Sequence, residues 1–338
     1  MNFINILNHI LRPLEWVVAQ LLTLFHHALV TFGMTAGPSP AWGIAIMCLV
    51  LVIRICLLPL FLSQMCAMQR IQVLQPQIQR IQHKYAARKD PRSKEAMQRE
   101  IMALQQRYNA NPLGSCLPSL IQAPILCSLF YTLQSLPAIA DGNAEPLGGI
   151  DHTMAGDIES SSIFGVRIAD SFGTVASPQS RIIIGVAVAL MCLTLFAIQW
   201  MLIHRNTSKD AMVSPQFRVQ KMTVFVFPAI YVVSGATLPF GVLLYWLTNN
   251  LWNLGQTLCQ LRWFPTPGSA AGERKARRDY EQDNRRRAAA GLPSLEEERA
   301  MAAREEAKAR REREKSAASR NRKQHKTPHL AKRSIVKR

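Results

Sequence analysis

Long apolar runs dominate the first 265 residues of the chain and are nearly absent after them. Five runs approach or reach the roughly 20 apolar residues that a membrane-spanning helix needs. They are Ala41–Leu62, Leu117–Leu136, Ile182–Ile203, Met222–Leu238 and Gly241–Leu261. Because only helices and closed barrels satisfy their backbone groups in lipid, the pattern predicts an all-α polytopic membrane protein with five transmembrane helices.

A sixth apolar run, Trp16–Met34, has two interpretations that the pattern leaves open. It contains Gln20, His26 and His27, so it could be a signal-anchor or an amphipathic helix in the membrane interface. A cleaved signal peptide is disfavoured, because the run has no convincing small-residue cleavage site.

The polar segments between the runs differ in charge, which predicts the orientation of the chain. Segment 65–116 carries nine Lys and Arg and segment 204–221 carries four, whereas segment 137–180 carries one basic and six acidic residues. Loops rich in Lys and Arg stay in the cytoplasm, so the first two segments and the tail are predicted to be cytoplasmic. The chain is thus predicted to begin with an N-terminal segment, 1–40, and to end with a tail, 263–338. The spans are 41–64, 117–136, 181–203 and 222–262, of which the last contains two spans. The loops are 65–116, 137–180 and 204–221.

The segment 65–116 contains two narrow apolar seams with heptad-like spacing. The seams are Ile71, Leu74, Ile78, Ile81 and Tyr85, and then Met97, Ile101, Leu104 and Tyr108. Asp90 and Pro91 between them are typical N-cap and first-turn residues of a helix. The pattern predicts an antiparallel helical hairpin. Its basic faces are either simply solvated or a surface for anionic lipid or a partner protein.

One permanent charge, Arg54, lies inside the first predicted span. An arginine at the centre of a bilayer costs about 2.5–3.5 kcal/mol on insertion scales. Either its side chain reaches the cytoplasmic interface, helped by an early helix break at Pro59, or it faces a water-filled cavity or a partner between the helices. The predicted spans contain no acidic residue, so water or a visiting anionic group is the favoured partner.

Other polar side chains in the spans are candidates for lining such a cavity. They are Gln122, Gln199, Trp246, Asn249, Asn250 and Asn253, of which the last four share one helical face by spacing. For any one of them, hydrogen bonding between helices is an equally simple explanation.

The remaining composition narrows the classes of function. The chain has 338 residues and a net charge of +18, and it lacks an HExxH motif, a P-loop and a recognisable Ser/His/Asp or Cys/His set. We therefore expect no enzymatic activity, no cofactor and no metal. A single arginine argues against a voltage sensor, and spans without Asp, Glu or His argue against a proton relay. A small transporter or channel and a non-transporting assembly scaffold stay open as alternatives to an insertase.

Four motifs in this order resemble the YidC/Oxa/Alb family of membrane protein insertases. They are RICLLPL, LQPQIQRIQHKY, NPLGSCLPSLIQAPIL and LPFGVLLYWLTNN, and the resemblance extends from about residue 11 to residue 261. Ser115 departs from the family pattern, which often has a second glycine there. The absence of a large domain before the first span resembles the compact form of bacteria with one membrane.

The resemblance implies a positively charged hydrophilic groove, open to the cytoplasm and to lipid. Arg54, Gln122 and Trp246 match the family's groove positions, whereas Gln199 is a candidate on polarity alone. The implied function is insertion and folding of nascent membrane proteins in the bacterial cell membrane, alone or with the Sec translocon. Segment 12–33 is similar to the family's amphipathic helix, which favours the interfacial interpretation of that run.

The tail, residues 266–338, carries 22 of the 40 Lys and Arg residues and 11 acidic residues. It is predicted to be largely disordered with one helical stretch, which begins at a capping box of Ser294 and Glu297 and contains a Glu306–Arg310 pair. In the family such basic tails are associated with the ribosome. A topology anchor or a lipid-surface contact is the alternative.

Overall fold

The computed structural model describes residues 3–88, 90–110, 117–213 and 215–325. Within these ranges the chain is predominantly helical with almost no strand, which confirms the predicted all-α class. The helices are α1 (Phe3–Thr31), α2 (Pro40–Cys56), α3 (Leu58–Tyr85), α4 (Pro91–Arg107), α5 (Leu117–Ala140), α6 (His152–Ser160), α7 (Pro178–Arg205), α8 (Pro215–Thr237), α9 (Phe240–Trp263), α10 (Ala270–Ala289) and α11 (Leu295–His325). One small hairpin pairs β1 (Ser162–Ile163) with β2 (Val166–Arg167). The chain divides into two compact units, Met1–Glu273 and Arg274–Arg338.

Several helices of the first unit are long and apolar enough to cross a membrane. Four qualify singly: Leu11–Thr31, Ile121–Ala140, Pro178–Arg205 and Phe217–Thr237. The pair α2 and α3 qualifies as one segment with a bend of 54°. This set includes the N-terminal run that the sequence left open. It omits α9, the last predicted span, whose Thr, Asn and Gln residues interrupt the apolar run.

The first predicted span, 41–64, is not one straight helix. It breaks at Leu57, between the end of α2 and the start of α3. Pro59 has no N–H to donate to the carbonyl of Ile55, so the helical ladder loses a hydrogen bond at this point. Arg54 therefore lies in the last turn of α2 rather than in the interior of a continuous helix.

Two apolar clusters close the end of the bundle next to segment 137–180. Their members include Trp42, Leu49, Leu129, Ile139, Ile158, Ile168 and Tyr245 in the first and Ile184, Met191, Phe240 and Leu243 in the second. The segment also caps α9, because the N–H groups of Phe240 and Gly241 donate to the carbonyls of Asp170 (2.7 Å) and Ile168 (2.9 Å). A Cβ at Gly241 would lie 2.7 Å from Cγ2 of Ile168, so this approach requires glycine.

In the segment 65–116, α3 and α4 pack against each other. Leu74, Ile78 and Ala110 are buried between them, with Ile71, Ile101 and Leu104 against this cluster. Lys84 pairs with Glu100 at 2.9 Å and Arg70 donates to the carbonyl of Asn109 at 3.2 Å, so the two helices run in opposite directions. Ile81, Tyr85 and Met97 are half-buried, and Tyr108 is 47% exposed. The predicted seam stops short of Tyr108 because α4 ends at Arg107.

The second unit has more regular structure than the sequence predicts. It contains most of α10 and all of α11, where one helical stretch was expected. The predicted capping box is confirmed: the Ser294 N–H donates to Glu297 Oε2 at 2.8 Å, and the Glu297 N–H donates to Ser294 Oγ at 3.2 Å. The predicted Glu306–Arg310 pair is wrong, because Arg310 bonds to Glu314, on the following turn, at 3.0 Å.

Candidate functional site

Arg54 points across the bundle towards α9. Its guanidinium donates to Oδ1 of Asn249 from Nε at 2.7 Å and also from Nη2. The side chain therefore lies between helices, which is one of the two alternatives that the sequence left open. Because Arg54 is in the last turn of α2, the partial negative charge of that helix end also stabilises the guanidinium.

A cavity of about 540 Å³ opens around Arg54, and we call it the Arg54 cavity. Its lining comes from α2, α3, α5, α8 and α9 and from the break between α2 and α3. The lining residues are Arg54, Leu57, Phe61, Gln64, Gln122, Ala123, Leu126, Phe227, Tyr231, Asn249, Trp252, Asn253 and Gln256. None of these described residues is acidic, so the guanidinium is held by an amide and not by a carboxylate.

The face that α9 presents to this cavity differs from the predicted one. Asn249, Trp252, Asn253 and Gln256 line it, at spacings of 3, 1 and 3. The sequence analysis instead grouped Trp246 and Asn250 with Asn249 and Asn253. Asn250 is only 2% exposed, and its Nδ2 has no hydrogen-bond partner among the described residues. The lining set begins at Asn249 rather than at Trp246, and it has the same i, i+3, i+4, i+7 spacing as the predicted set.

Gln122 joins α5 to α9 at the boundary between the cavity and the closed end of the bundle. Its Nε2 donates to the hydroxyl of Tyr245, which is 1% exposed. The pair gives a buried hydroxyl its hydrogen-bond partner, as buried polar groups require. Gln122 therefore has a structural contact on one side and cavity on the other.

Two predicted groove residues are not part of the cavity lining. Trp246 is half-buried, and its ring stacks on Tyr231 with centroids 4.9 Å apart and planes 20° apart. Trp246 thus contacts the cavity-lining residue Tyr231 without lining the cavity itself. Gln199 is half-buried on α7 and is not among the described residues that line the Arg54 cavity.

The aromatic wall of the cavity was not predicted. Phe61, Phe227 and Tyr231 stand in apolar runs where nothing in the pattern separates a lipid-facing ring from a cavity-facing one. Only the relative rotation of α3, α8 and α9 decides which rings face inward. The amide residues carried a detectable signal, since polar side chains inside spans are candidates by default.

Acidic groups with described partners lie away from the cavity. In segment 137–180 Asp170 bonds to Arg167 at 2.8 Å and raises the pKa of that guanidinium. In α3 and α4 Glu100 bonds to Lys84 and raises the pKa of that ammonium group. Within the described ranges no three His, Cys, Asp or Glu side chains cluster as metal ligands would.

The amino-acid sequence is similar to those of several named proteins. Residues 34–266 match the family described as 60Kd inner membrane protein. A protein of Bifidobacterium longum named membrane protein insertase YidC is 44% identical over 306 residues, which is 90% of each chain. Relatives of the same name from Streptomyces avermitilis (34% identity, 79% of this chain and 61% of the relative) and Tropheryma whipplei (30% identity, 81% and 90%) are also similar.

Proposed function

This chain belongs to the 60Kd inner membrane protein family, the YidC/Oxa/Alb insertases, and from that premise we propose that it inserts nascent membrane proteins into the cell membrane through the Arg54 cavity. The family is non-enzymatic. In this proposal the chain also helps its clients fold, and it acts alone or beside the Sec translocon.

The observation that carries the proposal is the unneutralised charge of Arg54. A guanidinium is always protonated at physiological pH, and this one has an amide as its described partner in a cavity without an acidic lining residue. Two opposite unit charges 4 Å apart attract by about 4 kcal/mol at an effective dielectric constant of 20. An acidic group in a client's polar tail would therefore be drawn to this position.

The driving force comes from the client's apolar segment. On insertion scales an apolar residue at a helix centre gains about 0.3–0.6 kcal/mol, so 20 of them gain about 6–12 kcal/mol. One charged residue costs about 2.5–3.5 kcal/mol on the same scales. Insertion of a client with a short polar tail is therefore favourable overall. It needs a cavity that shortens the path of the tail through the hydrocarbon layer, and it needs no energy from a nucleotide.

The packing of the helices suggests where the client leaves the cavity. α5 packs along α1, and α8 packs along α7, while both contribute residues to the Arg54 cavity. The cavity thus lies where the described parts of α5 and α8 have little direct contact, although α1, α2, α9 and α7 join them into one bundle. We propose that the client's apolar segment enters lipid between α5 and α8.

The second unit is the proposed ribosome contact, on the cytoplasmic side. Described residues of α10 and α11 include many exposed arginines, and i,i+4 ion pairs such as Lys275–Asp279 and Arg277–Glu281 support the helices without an apolar core. Surfaces of this kind bind polyanions in a salt-dependent way. A lipid-surface anchor remains the competing role of the tail.

The test compares Arg54→Ala with Arg54→Lys in liposomes that contain the purified full chain and a single-spanning client with two aspartates in its tail. We expect the alanine variant to insert this client about tenfold less, and the lysine variant to keep most of the activity, because the charge is the required property. Protease protection of the client tail measures insertion.

Arg218→Ala is the matched control, because Arg218 is an exposed arginine of α8 outside the cavity lining. It should insert the client as the unmodified chain does. Equal insertion by the unmodified chain and by Arg54→Ala would show that the cavity charge has no role.

A further inference from the structure

A second, smaller cavity adjoins the Arg54 cavity and has a different chemistry. It measures about 190 Å³, and both cavities are lined by Phe61 and Gln64. Six of its lining residues carry side-chain amides: Gln64, Gln69, Gln72, Asn206, Gln220 and Gln260. None of its described lining residues is ionisable. We call it the amide chamber.

Part of this amide set holds the chamber together. Gln69 Nε2 donates to the carbonyl of Phe264 at 2.5 Å, and Asn206 Oδ1 accepts from the N–H of Thr266 at 2.9 Å. These bonds fix the start of the chain after α9 to α3 and to the end of α7. Gln72 differs, because its Oε1 is buried and has no hydrogen-bond partner in the described chain.

We infer that the amide chamber binds the main chain of an extended client segment, next to the site where Arg54 attracts acidic side chains. A side-chain amide offers the same donors and acceptor as a peptide group, so it can replace the water that an extended backbone loses. Gln72 lines the chamber and its Oε1 has no described hydrogen bond, so it is the amide that we assign to a client main-chain N–H. A neutral lining leaves client side chains of either charge free to pass.

The apolar part of the lining fits the same occupant. Met65 and Met68 stand beside the amides, and methionine adapts to side chains of different shape. The volume of about 190 Å³ admits only a short length of chain at a time. The chamber would therefore recognise polypeptide without selecting sequence. This inference rests on the proposed insertase function.

The experiment uses three clients that share one apolar segment and differ only in the tail, which carries two aspartates, two lysines or no charge. Liposomes contain the full chain, unmodified or as Gln72→Leu, which keeps the size of the side chain and removes the amide. We expect Gln72→Leu to insert all three clients about fivefold less. Arg54→Ala should affect mainly the acidic client, so the two variants have different profiles.

Gln77→Leu is the matched control, because Gln77 is an exposed glutamine of α3 outside the chamber lining. A photo-crosslinker at position 72 gives a second measurement if Gln72→Leu fails to fold. It should label stalled clients of all three charges equally. Unchanged insertion by Gln72→Leu, or labelling of the acidic client alone, would overturn the inference while insertion by the unmodified chain still supported the insertase. Insertion of no client by the unmodified chain would overturn both.

Discussion

The two ends of the bundle share helices α2 and α9 but differ in the environment of their side chains. Towards segment 137–180, α2 and α9 bury Trp42, Leu49, Phe240 and Tyr245 in continuous apolar clusters. Towards the other end the same two helices carry Arg54 and Asn249, which line a cavity of about 540 Å³. Each helix thus changes from core to cavity within a few turns.

This difference explains how an otherwise apolar bundle can contain a polar cavity. The apolar clusters of one end supply packing that fixes the helices, and at the other end the same helices place polar side chains against the Arg54 cavity. Gln122 stands at the transition, with its amide on Tyr245 of the closed end. We therefore expect substitutions in the apolar clusters to change the free energy of unfolding, and substitutions in the Arg54 cavity to change the insertion of clients.

The largest expected effect is at the closed end. Trp42 is 1% exposed and its ring stacks on His26 with centroids 3.8 Å apart. Trp42→Ala should lower the free energy of unfolding by about 3–5 kcal/mol, the usual cost of removing a buried aromatic side chain. Chemical denaturation of the purified protein in detergent measures it.

Trp263→Ala is the control for that substitution, since Trp263 is 58% exposed at the end of α9. It should change the free energy of unfolding little. An equal loss from both tryptophans would mean that the closed end has no special part in stability.

The sequence predicted the helices better than it predicted their rotation. Long apolar runs specify a helix whatever packs against it, so the helical class followed from the pattern. Arg54 and Asn249 were candidates because a polar group inside a span is exceptional, and the structure places both at the same cavity. Trp246 and Asn250 were placed on the cavity face because spacing along α9 gives neighbours on a helix but not the direction in which that face points. Tyr231 had no signal of its own, since its role depends on α8 packing beside α9.

The next effect concerns the charge balance of the open end. Asn249→Asp would give Arg54 an internal carboxylate at the position of its present amide partner. The ion pair would compete with the client, so we expect insertion of an acidic-tailed client to fall about tenfold while the protein stays folded. Protease protection of the client and thermal unfolding of the variant measure these two properties separately.

Asn253→Asp is the comparison variant, because Asn253 lines the same cavity and is not the acceptor of the Arg54 hydrogen bonds. Its effect on insertion should be smaller. If both variants inserted the acidic client normally, the guanidinium would not be the group that attracts the tail.

The smallest expected effect is at the start of α4, which has no buried residue of its own. The Asp90 carboxylate accepts from the Ser93 N–H at 2.8 Å, and hydrogen bonds from Ser93 lower the pKa of Asp90. A lowered pKa means that the cap is complete above the ordinary aspartate range and is lost as the pH falls through the lowered value. Hydrogen exchange in the first turn of α4, corrected for the intrinsic rate, should therefore accelerate on acidification. Asp90→Asn keeps an N-cap acceptor that does not titrate, so protection that falls equally in both proteins would exclude Asp90 as the cause.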